Sequence, residues 1–177
     1  MLNNFIESFN ESNFTIFGTD TYNERNIKPL INWLNVSNNI MYIDTDSNDY
    51  TFDNVLTILK NTKDTHIIIK YFNNLIDDNK INDLMMKSKT MANFSRRSID
   101  IINSNRIKLT LFNQIYNSTN NYNFVGGPSI LYAPSMVGIL KGNENKIEII
   151  KNRNGYHDIF DFKIVKRNHT LNSLLDG

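Results

Sequence analysis

The run His66-Ile67-Ile68-Ile69-Lys70 constrains the fold of this chain more than any other stretch. An apolar run this short, with no polar alternation, reads as a central parallel strand covered on both faces. Parallel neighbours are reached only through long crossovers, and the sequence supplies them. Residues 14–18, 40–46 and 107–112 are β-rich runs. Between them, residues 27–34 carry Ile27, Leu30, Ile31 and Leu34 at helical spacing with Pro29 near the start, and residues 55–60 form a second short amphipathic segment. Residues 84–103 read as a longer helix, and residues 3–10 as a short helix on the edge of the sheet. Residues 146–151 alternate like a strand, as do 161–165. The expectation is an α/β fold with a mostly parallel sheet, helices on both faces and a short antiparallel portion from residue 146 onward. A chain of 177 residues fits one domain, 1–177, with a full-sized core.

Composition removes several function classes. There is no cysteine, which excludes a disulfide framework and cysteine-based zinc or redox chemistry. The three histidines, His66, His157 and His169, are scattered, as solvent or strand-edge residues are, so no metal site is expected. A net charge of +1 gives no global attraction to nucleic acid, and any DNA binding must come from a local patch. No run approaches a membrane span, and residues 1–9 lack the basic-then-apolar order of a signal peptide, so a cytoplasmic protein without a membrane partner is expected.

In an open α/β sheet, ligands sit at the C-terminal ends of the strands. Residues 107–112 deliver Asn113 and Gln114 to such an end. A polar segment, 115–125, follows with Tyr116, Tyr122 and Phe124 interleaved; it reads as a mobile loop and ends in the turn Gly126-Gly127-Pro128. Residues 129–140 read as a small-residue packing segment, and Lys151-Asn152-Arg153 close the next strand.

This order of strand, glutamine, loop, Gly-Gly and paired basic residues resembles the RecA family of strand-exchange ATPases, most closely the bacteriophage UvsX-type recombinases. Met86-Lys87-Ser88-Lys89-Thr90, Phe94-Ser95-Arg96-Arg97 and Leu174-Leu175-Asp176 extend the likeness over residues 67–176. The resemblance implies a RecA-like three-layer core. It also implies that Gln114 is the sensor of the terminal phosphate and that Lys151 and Arg153 reach a neighbour's nucleotide in trans. Residues 73–83 and 116–125 would be the loops facing DNA, with Tyr116, Tyr122, Phe124, Gly126 and Gly127 as contacts.

Against that family, the nucleotide site is degenerate. The phosphate-binding pattern G-x-x-x-x-G-K-[ST] falls on residues 18–25, where Gly18 is kept, Asn23 replaces the second glycine, Glu24 the lysine and Arg25 the hydroxyl. A carboxylate beside phosphates turns attraction into repulsion, on the order of several kcal/mol at an effective dielectric near 20. Lys70 stands where the magnesium-holding aspartate belongs, and a Glu24–Lys70 ion pair would fill the vacated pocket. Asp46 matches the carboxylate that orients the attacking water, or is a solvated strand end. No catalytic residue, cofactor or metal is therefore expected, and single-stranded DNA should bind weakly.

The resulting expectation is a catalytically inactive RecA/UvsX-like recombinase paralogue. It would act in DNA recombination or repair by associating with an active recombinase filament or with itself. Two other readings stay open: a divergent but active DNA-dependent ATPase that uses ATP and magnesium, and an inhibitor of a recombinase filament.

Overall fold

The computed structural model describes residues 2–19, 27, 30, 39–46, 50–76, 83–118, 121–141, 146–153 and 159–161. Glu24 with the rest of 20–26, the acidic segment 77–82, His157, His169 and the stretch 162–177 lie outside the described residues. Eight strands are described: β1 (Phe14–Thr19), β2 (Ile40–Asp44), β3 (His66–Lys70), β4 (Lys108–Ser118), β5 (Asn121–Phe124), β6 (Met136–Lys141), β7 (Lys146–Asn152) and β8 (Ile159–Asp161). Three α-helices have described bounds, α1 (Leu2–Glu11), α2 (Phe52–Asn61) and α3 (Leu84–Asn105). The sheet order is β2-β3-β4-β1-β6-β7-β8, with β5 paired to β4. The first five strands in that order are parallel, and β7 and β8 add antiparallel. The fold is thus mixed α/β with a mostly parallel sheet and helices.

Alternation along the central strands divides the core in two. Phe14 and Ile16 of β1, Ile67 and Ile69 of β3, and Leu109 and Leu111 of β4 point to the face covered by α2 and α3. Phe17, Ile68 and Phe112 point to the other face, where Phe5 and Phe9 of α1 pack with Ile27 and Leu30. Rings stack in sequence there, Phe9 on Phe17 at 6.2 Å and Phe17 on Phe112 at 5.6 Å. Helix α1 therefore covers a sheet face rather than an edge, because its two phenylalanines, one helical turn apart, need more apolar surface than an edge offers.

The β1-to-β2 crossover runs across the sheet in the direction opposite to β2-β3-β4. With right-handed crossovers, these connections lie on opposite faces, as the placement of Ile27 and Leu30 against α2 and α3 agrees. The C-terminal ends of β1 and β4 accordingly flank a topological switch point, the usual ligand crevice of such sheets.

At the opposite end, the segments leading into β3 and β4 are tied together. Asp64 and Arg106 both adopt left-handed backbone conformations, φ 50° and 54°. The guanidinium Nε of Arg106 lies 2.6 Å from Asp64 Oδ1, and the Asp64 N–H donates to the Asn105 carbonyl at 3.0 Å. Asn105 Nδ2 donates to the carbonyls of Leu59 and Lys60 and so caps α2. The N-termini of α2 and α3 are capped by Thr51 and Asp83, whose side-chain oxygens accept from the amides of Asn54 and Met85.

Several expectations change. Residues 40–46, which the sequence reads as the second core strand, supply a strand at the end of the described sheet order, with only Ile43 of β2 buried. Residues 115–125 form the hairpin β4–β5 rather than a mobile loop, because Ile115 and Phe124 pair across it and are both buried. Residues 129–140 contain a short 3-10 turn, Pro128–Leu131, followed by the core strand β6 rather than a small-residue segment. The last described strand is 159–161; residues 162–165 of the expected one lie outside the described residues. His66 is not at the surface: its ring is buried against Phe9, and its Nε2 lies 2.9 Å from Thr110 Oγ1. Burial, then the charge of Lys108, lowers its pKa to about 4.

Candidate functional site

Three charged side chains meet at the C-terminal tips of β2 and β3. Asp44 and Lys70 are cross-strand partners, and Asp46 follows two residues later on the same side as Asp44. The Lys70 ammonium lies 3.2 Å from Asp44 Oδ2 and 3.1 Å from Asp46 Oδ2, with only 3% of its side chain exposed. It also stands 4.6 Å from the centre of the Tyr71 ring. The Thr45 hydroxyl donates toward the carbonyls of Lys70 and Tyr71, at 2.8 and 3.0 Å, and holds the two tips together. Tyr71 itself is buried in a left-handed conformation, φ 53°. Lys70 and Asp46, expected as separate degenerate positions, are thus one ion-paired cluster. Asp46 is an ion-pair partner rather than a merely solvated strand end. The aspartate missed by sequence reasoning is Asp44, and its signal was the pairing of opposite charges at the tips of two adjacent strands.

Beside this cluster, a cleft of about 650 Å3 opens at the ends of β3 and β4. Gln114 lines it, half-buried and in register with Thr19 at the end of β1, and its backbone N–H donates to Asn73 Oδ1 at 3.2 Å. Asn73, Asn74, Lys87 and Ser88 complete the polar lining, and Tyr116, Gly126 and Gly127 stand at its rim. Sequence reasoning placed Asn73 and Asn74 in a DNA-facing loop and Lys87 and Ser88 on the family-like helix, but local pattern carries no signal of the contact that brings them to one cleft. Gly126 and Gly127 have φ of 93° and 74°, so the expected turn is present and requires glycine.

The three aromatic candidates separate. Tyr116 is 60% exposed, whereas Phe124 is buried and faces inward with Ile115. The Tyr122 hydroxyl donates to Glu148 Oε2 of β7 at 2.8 Å, fastening the hairpin across the sheet. Phe124, expected as a base-stacking contact, packs its buried ring in the core beneath the cleft that it helps to line.

Gly18 is also reassigned. It lies within β1, paired with Asn113 and Ile139, and a Cβ on it would sit 2.6 Å from Ile115 Cγ2 and 2.9 Å from the Phe124 ring. What requires glycine here is the close approach of the hairpin. Neighbouring Asn113 is fully buried and donates from Nδ2 to the Val125 carbonyl at 2.9 Å, closing the hairpin base.

Lys151 and Arg153 lie at the other end of the sheet. Strand β7 runs antiparallel to β6, and Lys151 is level with Val137 near the start of β6. That level is Ile16 of β1, three residues or about 10 Å from Thr19, and Arg153, bonded through Ser135 to the level of Phe14, is about 17 Å from it. Lys151 Nζ donates to the carbonyls of Leu131 and Tyr132, and Arg153 to that of Ala133 at 3.2 Å. Burial, then the neighbouring Arg153, lowers the pKa of Lys151 below its ordinary value. Lys151 is thus no freely exposed cation: it braces the turn that carries Tyr132, itself 79% exposed. Arg153 remains exposed.

Among the described residues, no helix is long and apolar enough to cross a membrane, and no group of three or more acidic, histidine or cysteine side chains is placed to hold a metal ion. No protein-family model matches the chain, and no curated protein matches it.

Proposed function

We propose that this chain is a RecA/UvsX-like recombinase paralogue without ATPase activity, acting in DNA recombination or repair through association with an active recombinase. The observation that carries the reading is the Lys70 ammonium, seated between two carboxylates at a strand tip beside the switch point of the sheet. A fixed cation there satisfies both carboxylates without nucleotide or metal. Helices on both faces of the mostly parallel sheet support the three-layer core of that family, and Gln114 beside the cleft supports a sensor-like position. The far placement of Arg153 supports a polar subunit with unlike ends, the arrangement that builds open head-to-tail assemblies.

In this reading the contact with the partner runs through Arg153 and Tyr132, residue types that dominate protein interfaces, and Lys151 holds their turn in place. Tyr116 and the Gly126-Gly127 turn make whatever weak contact with single-stranded DNA there is.

The test is purification of the tagged chain together with the recombinase encoded by the same genome, with ATP binding measured on the chain alone. The expected result is a complex, no saturable magnesium-dependent ATP binding, and loss of the complex on the double substitution Tyr132→Ala and Arg153→Ala. Micromolar ATP binding would favour the active ATPase instead. A complex that slows strand exchange rather than supporting it would make the chain an inhibitor of the filament.

A further inference from the structure

A second cavity opens at the other end of the sheet from the cleft, where the start of β1, the end of α1 and the C-terminal half of α3 meet the turn before β6. It holds about 270 Å3, below the roughly 300–1,000 Å3 of small-molecule sites but room for one side chain. Its floor is apolar, made by the buried Phe14, Ile102 and Ala133. Its walls are polar and largely unengaged. Among the described residues, the side-chain amides of Asn13 and Asn103 have no hydrogen-bond partner, and the Arg153 guanidinium makes one bond, to the Ala133 carbonyl at 3.2 Å, and no ion pair. Arg96, exposed and likewise unpaired among the described residues, stands one helical turn before Ile99 and two before Asn103, both of which line the cavity, so a second cation shares that face of α3. The exposed Tyr132 directly precedes Ala133.

These features favour a peptide over a nucleic acid. Asn13 and Asn103 each offer donors and acceptors, which match the alternating N–H and C=O of a peptide backbone, whereas phosphodiesters only accept. Glu11 also lines the cavity and repels a continuous row of phosphates, while single carboxylates can still reach Arg153 and Arg96. The apolar floor adds a seat that phosphates leave empty and an aliphatic side chain fills. We infer that this cavity and the adjoining face of α3 dock a peptide segment of a partner protein in which an aliphatic side chain is flanked by acidic residues. The aliphatic group enters the cavity, and the flanking carboxylates meet Arg153 and Arg96. The inference rests on the partner contact proposed above and gives it a chemistry, with carboxylates rather than a nucleotide's phosphates opposite Arg153.

The experiment measures the anisotropy of an end-blocked, fluorescently labelled peptide, Asp-Asp-Leu-Asp-Asp, titrated with the full chain at low and at physiological salt. Beside it run the same peptide with glycine for leucine, the same peptide with asparagine for aspartate, and a labelled single-stranded oligonucleotide. The protein variants are Arg153→Ala and Asn103→Trp, the second covering the cavity from an exposed helix position. The expected result is saturable, salt-sensitive binding of the acidic leucine peptide, weakened at least about tenfold by either peptide change and by either protein change, at unchanged thermal midpoints. No saturable binding of that peptide, equal binding of the glycine peptide, or full binding by both variants would each overturn the inference. So would an oligonucleotide that binds more tightly than the peptide and is lost in the same variants. A recombinase complex without peptide binding overturns this inference alone, whereas peptide binding without a recombinase complex supports it and removes the recombinase as the partner.

Discussion

Replacing Gly18 by alanine isolates one contact. Gly18 sits in a strand, where alanine is conformationally acceptable, so any cost must come from what the new methyl meets. It would stand 2.6 Å from Ile115 Cγ2 and 2.9 Å from two carbons of the Phe124 ring, against an ordinary separation of 3.5–4 Å. The hairpin must then move outward by about 1 Å, and overpacking of this kind costs about 1–3 kcal/mol. The lower backbone entropy of alanine in the unfolded chain offsets roughly 0.4–1 kcal/mol of that. The expected net loss is about 1–2 kcal/mol, read in urea as a lower midpoint at an unchanged slope. In an Ile115→Ala background the nearest clashing group is gone and the Phe124 ring has room to turn, so Gly18→Ala should cost close to nothing. An equal cost in both backgrounds, or no cost in either, would refute the packing role and return Gly18 to a role in ligand binding.

Other outcomes follow from the same geometry. His66 has a folded pKa of about 4 against an ordinary 6.5, so the unfolded chain binds the extra proton between those values. Stability present above pH 6.5 should fall by roughly 3 kcal/mol as the pH drops through 4, and His66→Gln should flatten that part of the curve. Burial lowers Lys108 to about 7, below its ordinary 10.5, while its ammonium lies 3.5 Å from the centre of the Phe9 ring. Stability should therefore rise with pH from about 7 to 10.5, and Lys108→Met, which also loses the hydrogen bond from Lys108 Nζ to the Phe9 carbonyl, should abolish that rise. Calorimetry across both pH windows checks the two signs. Gly126→Ala, at φ 93° and with its methyl directed at Met91 Sδ, should lose about 2 kcal/mol or more in a denaturant titration. Tyr116→Ala should weaken any single-strand binding measured by fluorescence anisotropy without lowering the thermal midpoint, whereas Phe124→Ala should lower the midpoint and cost the about 3–5 kcal/mol of unfolding free energy of a buried phenylalanine.

The parallel core was legible in the sequence because its strands are continuous apolar runs, and periodicity reports that directly. Residues 66–70 and 84–105 came through almost to the residue for this reason. The hairpin did not, since Asn117, Asn121 and Asn123 read as loop, and only the tertiary contacts of Ile115 and Phe124 with the Gly18 backbone make it a pair of strands. His66 and α1 were misplaced together: each is explained by the other, and a contact between residues nearly sixty positions apart leaves no local mark. At the site, Asp46 and Lys70 were singled out individually, but their shared geometry depends on the β2–β3 register, which alternation alone does not set. Lys151 was singled out as a cation reaching a neighbour, and only the position of the carbonyls at Leu131 and Tyr132 shows its bracing role.

The tie between Asp64 and Arg106 bears on how the chain assembles. A hairpin sets its register through its turn, but β3 and β4 are parallel and have none; a slip by one residue would exchange the side chains that pack in the two cores. The residues that lead into these two strands are left-handed and joined by an ion pair and by the Asp64 amide, which allows a single alignment of His66 with Lys108. Because the ion pair is exposed, it adds little to equilibrium stability. Its work falls in the search for the native pairing, so Arg106→Ala should slow refolding, measured by stopped flow, while leaving the unfolding rate nearly unchanged.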